Sequence, residues 1–136
     1  MNFKRGLNYT YVMFLYKEDI FRGIKVGKTE ISPNVRRTQI LKTDGDKFDF
    51  DYADIISVKT HNSPHLMYAT ECILHQIANR YRNFEQKKSD FFIMKEDEPI
   101  ITILDEHLDG LEKAIKLEHE RAVKILEEEF SYNLEF

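Results

Sequence analysis

The spacing of apolar positions changes several times along the chain, and each change predicts an element. Tyr9 to Tyr16 (YTYVMFLY) is rich in aromatic and β-branched residues and predicts a buried strand. Lys17-Glu18-Asp19 is a polar turn. Phe21 to Lys28 (FRGIKVGK) predicts a second strand, with Ile24 and Val26 on one side and Lys25 and Gly27 on the other. The two strands pair as a hairpin. Ser32-Pro33-Asn34 follows as a helix start, with Ser32 capping and Pro33 in the first helical position, and this helix runs to about Lys42. Thr43 to Asp46 predicts a loop, and Asp54 to Thr60 (DIISVKT) a third strand.

A second capping pair, Ser63-Pro64, opens a longer helix to about Arg82, with Leu66, Ile73, Ile77 and Tyr81 as its apolar stripe. Gln86 to Ser89 predicts a loop, and Asp90 to Met94 (DFFIM) a short strand or an apolar anchor. Pro99 opens a helical region carrying Ile100, Ile103, Leu104, Leu108 and Leu111, with Gly110 as a point of bending. Leu111, Ile115, Ala122 and Ile125 continue it among Glu and Lys. The order β-β-α-β-α-(β)-α predicts a small α+β domain with a C-terminal helical extension.

Composition narrows this picture. The chain has 136 residues, 42% hydrophobic, with ten Phe and seven Tyr, which suits one folded domain and excludes a disordered segment. Its single cysteine, Cys72, excludes a disulfide framework and a Cys-rich zinc site. No apolar run approaches the ~18 residues of a membrane span, and the first six residues, MNFKRG, lack the apolar stretch of a signal peptide. A cytoplasmic protein without membrane contact is expected. The net charge of −4 is unevenly spread: residues 1–42 sum to +6 and residues 43–136 to −10. A basic first third can attract a polyanion even in an acidic chain.

Two stretches hold candidate chemistry. Lys25-Val26-Gly27-Lys28-Thr29 runs into the loop before the helix that bears Arg36 and Arg37. Glycine allows close approach to a backbone, and a helix N-terminus offers free N–H groups, so this is either a phosphate-binding constellation or a solvated basic face. On the Ser63-Pro64 helix, at about 100° per residue, Glu71 falls roughly 140° from the apolar stripe and His75 on its far side. Glu71 is thus a plain exposed glutamate or a carboxylate aimed into a groove where a hard cation binds.

Taken together, five motifs resemble the GIY-YIG endonuclease superfamily, in the branch built around the phage T5 orf172 domain. They are Tyr9-Thr10-Tyr11-Val12-Met13, Ile24-Lys25-Val26-Gly27-Lys28-Thr29, Pro33-Asn34-Val35-Arg36, Glu71-Cys72-Ile73-Leu74-His75 and Ser89-Asp90-Phe91-Phe92. The resemblance covers about residues 9–94. It implies a three-stranded antiparallel sheet flanked by helices over 1–97, with 98–136 as an extension packed on the domain or used for dimerisation. It further implies hydrolysis of DNA phosphodiester bonds, an activity used by phages, DNA viruses and mobile elements. Tyr11, Lys25, Arg36 and Glu71 would be catalytic, and Glu71 would hold Mg²⁺ or Mn²⁺. Lys28, Thr29, Arg37 and His75 would contact substrate. In this scheme Tyr11 positions or deprotonates the attacking water, Lys25 lowers the Tyr11 pKa or holds a phosphate, and Arg36 or Arg37 supplies the guanidinium.

Other patterns compete. His61, His65, Cys72 and His75 have zinc-like spacings, though scattered histidines and one cysteine beside the stripe explain them more simply. Leu111, Ile115, Ala122 and Ile125 lie near heptad spacing and suggest either packing on the domain or a homodimer contact. A second function class also stands, in which the same kind of fold binds a nucleic acid, nucleotide or protein without catalysis.

Overall fold

The Tyr9–Tyr16 and Phe21–Lys28 segments pair as their alternation requires. The computed structural model describes residues 7–95 and 105–134, with side chains of the last helix described over 107–129. In it β1 (Asn8–Lys17) and β2 (Ile20–Thr29) are antiparallel neighbours. Their two-residue turn, Glu18-Asp19, has φ of 49° and 66°, the turn whose twist matches a hairpin. β3 (Tyr52–His61) pairs with the other edge of β1. β4 (Phe84–Lys87) and β5 (Phe91–Met94) form a second hairpin that joins the free edge of β2, giving the order β3-β1-β2-β5-β4.

The class is α+β, as expected, but the antiparallel sheet has five strands rather than three. Gln86 and Lys87, expected in a loop, belong to β4. A four-residue edge strand reading FEQK has no apolar alternation to announce it, and its backbone pairing with β5 alone makes it a strand.

Four helices complete the described fold: α1 (Pro33–Thr43), α2 (Gly45–Phe48), α3 (Pro64–Ala78) and α4 (Asp105–Leu134). Both expected caps form, with Ser32 Oγ accepting from the Asn34 N–H and Ser63 Oγ from the Leu66 N–H, each at 3.2 Å. The expected Thr43–Asp46 loop contains the start of α2, and α3 stops at Ala78 instead of Arg82. Beyond it Arg80 and Tyr81 donate to the carbonyls of Ile77 and Ala78, tightening the end into single turns.

Helices cover both faces of the sheet, which is why β1 is apolar at nearly every position. On one face Val12, Phe14, Ile24 and Val26 pack against Leu74 and Ile77 of α3 and Ile115 of α4. On the other, Tyr11, Met13 and Leu15 pack with Ile40 of α1, Phe50, Phe91 and Ile93. The α4 helix runs through Gly110 without interruption. Its Ile115, His119, Ala122 and Leu126 are buried against the domain, while Ile125 is 54% exposed. Ile115 and Ala122, both suggested for a dimer contact, thus spend their apolar surface within one chain. Pro99, Ile100, Ile103 and Leu104 lie outside the described residues. Among the described residues, no helix is long and apolar enough to cross a membrane.

His119 anchors α4 through a polar contact as well. Its Nε2 lies 2.6 Å from Thr10 Oγ1 and its Nδ1 2.8 Å from Ser57 Oγ, while His61 Nε2 reaches the same Thr10 oxygen at 2.8 Å. Burial pushes the His61 pKa down to about 4. Burial, with Lys59 and His61 nearby, pushes that of His119 to about 3, so both imidazoles are neutral.

Candidate active site

Strand register sets the first contact. Tyr11 lies directly opposite Gly27, and both face the α1 side of the sheet. The phenol lies across the space that a side chain at 27 would need: a Cβ there would stand 2.4 Å from Tyr11 Oη. Glycine is therefore demanded at this position by the tyrosine opposite. Arg36, one helical turn before the buried Ile40 on α1, lies close enough to the Tyr11 oxygen to favour its charged form and is steadied by Gln39 Oε1 at 3.0 Å.

Burial raises the Tyr11 pKa well above its ordinary value of 10.0. Asp90 and Glu71 push in the same direction, and Arg36 offsets only part of this. The phenol stays protonated at neutral pH. The expectation that Lys25 would lower this pKa fails, because Lys25 is committed elsewhere. It is 2% exposed, its Nζ is 3.3 Å from Asp90 Oδ2, and it sits 4.3 Å from the Phe91 ring centroid. Burial also lowers the Lys25 pKa, an effect that Asp90 opposes. The ammonium is thus occupied by Asp90 and the Phe91 ring.

The second half of the site assembles at a notch in the sheet. The β5 strand pairs with β2 only over Gly23, Ile24 and Lys25, so the edge of β2 is open beyond Val26. Val26 N–H donates to the Asp90 carbonyl at 2.9 Å, and the Val26 carbonyl accepts from His75 Nε2 at 3.0 Å. Helix α3 packs on the opposite face from Tyr11, yet Glu71 and His75 reach this edge. Glu71 Oε1 meets Lys28 Nζ at 3.1 Å, and Asp90 Oδ1 lies 3.6 Å from His75. Asp90 thus joins the two faces, one carboxylate oxygen turned to Lys25 and the other to His75. Ligand atoms of Glu71, His75 and Asp90 all lie within 4.8 Å of one another.

Glu71 itself is 5% exposed, although helical spacing set it off the stripe. Helix α3 is covered by the sheet and by α4 together, so its buried arc (Leu66, Met67, Thr70, Glu71, Leu74, Ile77, Ala78) is wider than its apolar stripe. Four expected catalytic residues therefore converge, with Glu71 the weakest influence on Tyr11.

The four substrate-binding expectations divide differently. Lys28 is 38% exposed at the rim, but in the free protein it pairs with Glu71. Thr29 Oγ1 accepts from the Ile31 N–H at 3.1 Å and shapes the turn before α1. His75 pins α3 to the β2 edge. Arg37 is half-buried and, among the described residues, makes no hydrogen bond or ion pair into the cluster, so Arg36 is the guanidinium at the site.

Sequence reasoning gave Asp90 no role. Its signal was its position as the one acidic residue leading into the apolar FFIM strand. His61, His65 and Cys72 do not gather with His75, which removes the zinc pattern among the described residues. A groove of about 670 Å³ between α2 and the β4–β5 hairpin, lined by Arg22, Lys47, Glu85 and Lys87 among others, contains none of the expected site residues. No protein-family model, curated protein or solved structure matches the chain.

Proposed function

We propose that the chain is a metal-dependent DNA endonuclease of the GIY-YIG type, hydrolysing phosphodiester bonds at the notch beside β2, inside the cell. One observation carries this reading. Tyr11, Lys25, Arg36, Glu71 and Asp90 come from five separate segments and gather beside one notch, with the guanidinium near the phenol.

The donor set suits a hard cation. Glu71 and Asp90 offer oxygens beside the His75 imidazole, and the Glu71 carboxylate already binds a positive charge, the Lys28 ammonium. Glu71, with Asp90, would hold Mg²⁺ or Mn²⁺. When bound, such an ion polarises the scissile phosphate and stabilises the leaving 3′-oxygen.

The remaining work falls to the chain. Arg36, steadied by Gln39, presents its other N–H groups to the phosphate oxygens as negative charge builds there. Tyr11, a protonated phenol, orients the attacking water and does not deprotonate it; the water's proton passes to solvent, and the leaving 3′-oxygen takes one up from solvent. Lys25 holds Asp90 in place. Lys28, the exposed cation of the set, leaves Glu71 for a phosphate when substrate arrives.

Plasmid nicking in Mg²⁺ or Mn²⁺, wild type beside Glu71→Gln, is the test. Wild type should nick, and the variant should lose at least about a hundred-fold. Its melting temperature should stay within a few degrees, since the amide is isosteric. Equal cleavage by both proteins, or by neither, overturns the proposal. The Lys28–Glu71 pair favours a second reading, in which the carboxylate stays neutralised and the module binds DNA without cutting. Binding without nicking in either metal would select it.

A further inference from the structure

One aromatic side chain at the rim is left mostly exposed. Tyr68 lies on α3 three residues before Glu71, so both project from one side of the helix. The residue is 60% exposed, high for an aromatic beside a charged cluster. Among the described residues, its one polar or ring contact is with Lys28, whose Nζ is 5.4 Å from the ring centroid. The same Nζ is 3.1 Å from Glu71 Oε1. Ring and carboxylate thus flank a single cation, and the ring stands within a nucleotide's span of the candidate metal position.

Resting on the nuclease reading, we infer that Tyr68 is a stacking platform for an unpaired base next to the scissile phosphate, so that the preferred substrate is single-stranded or locally unpaired DNA. Charge argues the same way. Duplex affinity is built from many neutralised phosphates, and the chain offers a net charge of −4 with Lys28 and Arg36 as cations beside the cluster. One base–aromatic stack is worth about ten- to a hundred-fold in affinity and tolerates any base. A base inside a duplex is already stacked and cannot use the ring.

The chain contains no tryptophan, so Tyr68→Trp installs a sole indole at the rim. It is titrated in Ca²⁺, which holds the complex without turnover, with a short oligothymidylate and with a duplex of equal length. Wild type, Tyr68→Phe and Tyr68→Ala are compared by anisotropy of the labelled strands. The inference expects the single strand to quench the indole emission of Tyr68→Trp, and to bind more tightly than the duplex. It also expects a loss of ten-fold or more in Tyr68→Ala, restored in Tyr68→Phe. Binding that leaves the indole emission unchanged, or equal affinity in Tyr68→Ala, overturns the stack while the nuclease proposal stands. Absence of binding to either strand, together with absence of nicking, overturns both.

Discussion

Acidification should unlock the last helix, and the size of the effect follows from two buried imidazoles. His61 and His119 are 3% and 0% exposed and share the Thr10 hydroxyl between β1 and α4. Their folded pKa values, about 4 and about 3, lie below the 6.5 of an unfolded histidine. As pH falls below 6.5 the unfolded chain takes up protons that the folded chain refuses, so stability is lost. The loss grows down to about pH 4 for His61 and pH 3 for His119, then levels off. At pH 5 each site has lost about one and a half units' worth at 1.36 kcal/mol per unit, or about 2 kcal/mol. The pair costs about 4 kcal/mol, a large share of the 5–15 kcal/mol of a typical domain. For a chain of this length that corresponds to a fall of roughly 12–20 °C in Tm. Thermal melts followed by circular dichroism at pH 7.5, 6 and 5 measure it directly. The double variant His61→Gln/His119→Gln should melt lower at pH 7.5 but lose much less between pH 7.5 and 5. Equal Tm for the wild type at both pH values, or an equal fall in the double variant, would refute the coupling.

Other expectations concern the notch. Gly27→Ala drives a methyl group into the Tyr11 phenol, so it should cost about 1–3 kcal/mol in denaturant melts and abolish nicking; an active, fully stable variant would show that the phenol position is unimportant. Lys28→Ala removes the ammonium that competes for Glu71, an ion pair of about 1 kcal/mol at this exposure. Calorimetry should therefore show Mn²⁺ binding about five-fold tighter while turnover falls, and weaker Mn²⁺ binding would contradict the shared carboxylate. Asp90→Asn strands the buried Lys25 ammonium and should destabilise the protein by about 2 kcal/mol or more at pH 7. The cost should shrink as pH rises and Lys25 gives up its proton; a loss independent of pH would mean that Lys25 is not the strained group.

Local rules determined much of this protein. Aromatic and β-branched runs specified β1, β2 and β3, because strand sterics act on neighbouring residues. Two serine–proline pairs started α1 and α3, since capping needs only a side chain and the next turn. Tyr11, Lys25, Arg36 and Glu71 are singled out together only by the family resemblance of their motifs. Their division of labour could not be read that way, because charge interactions depend on distances across the fold. Only packing turned Lys25 inward to Asp90, Thr29 to its own turn and His75 to a backbone carbonyl. Likewise β4 exists through pairing with a strand it does not resemble. Glu71 is buried because a second helix covers the side of α3 that its apolar spacing leaves open. His119 looks like any polar residue on a charged helix, and becomes an anchor only when Thr10 and Ser57, from two distant strands, come to meet it.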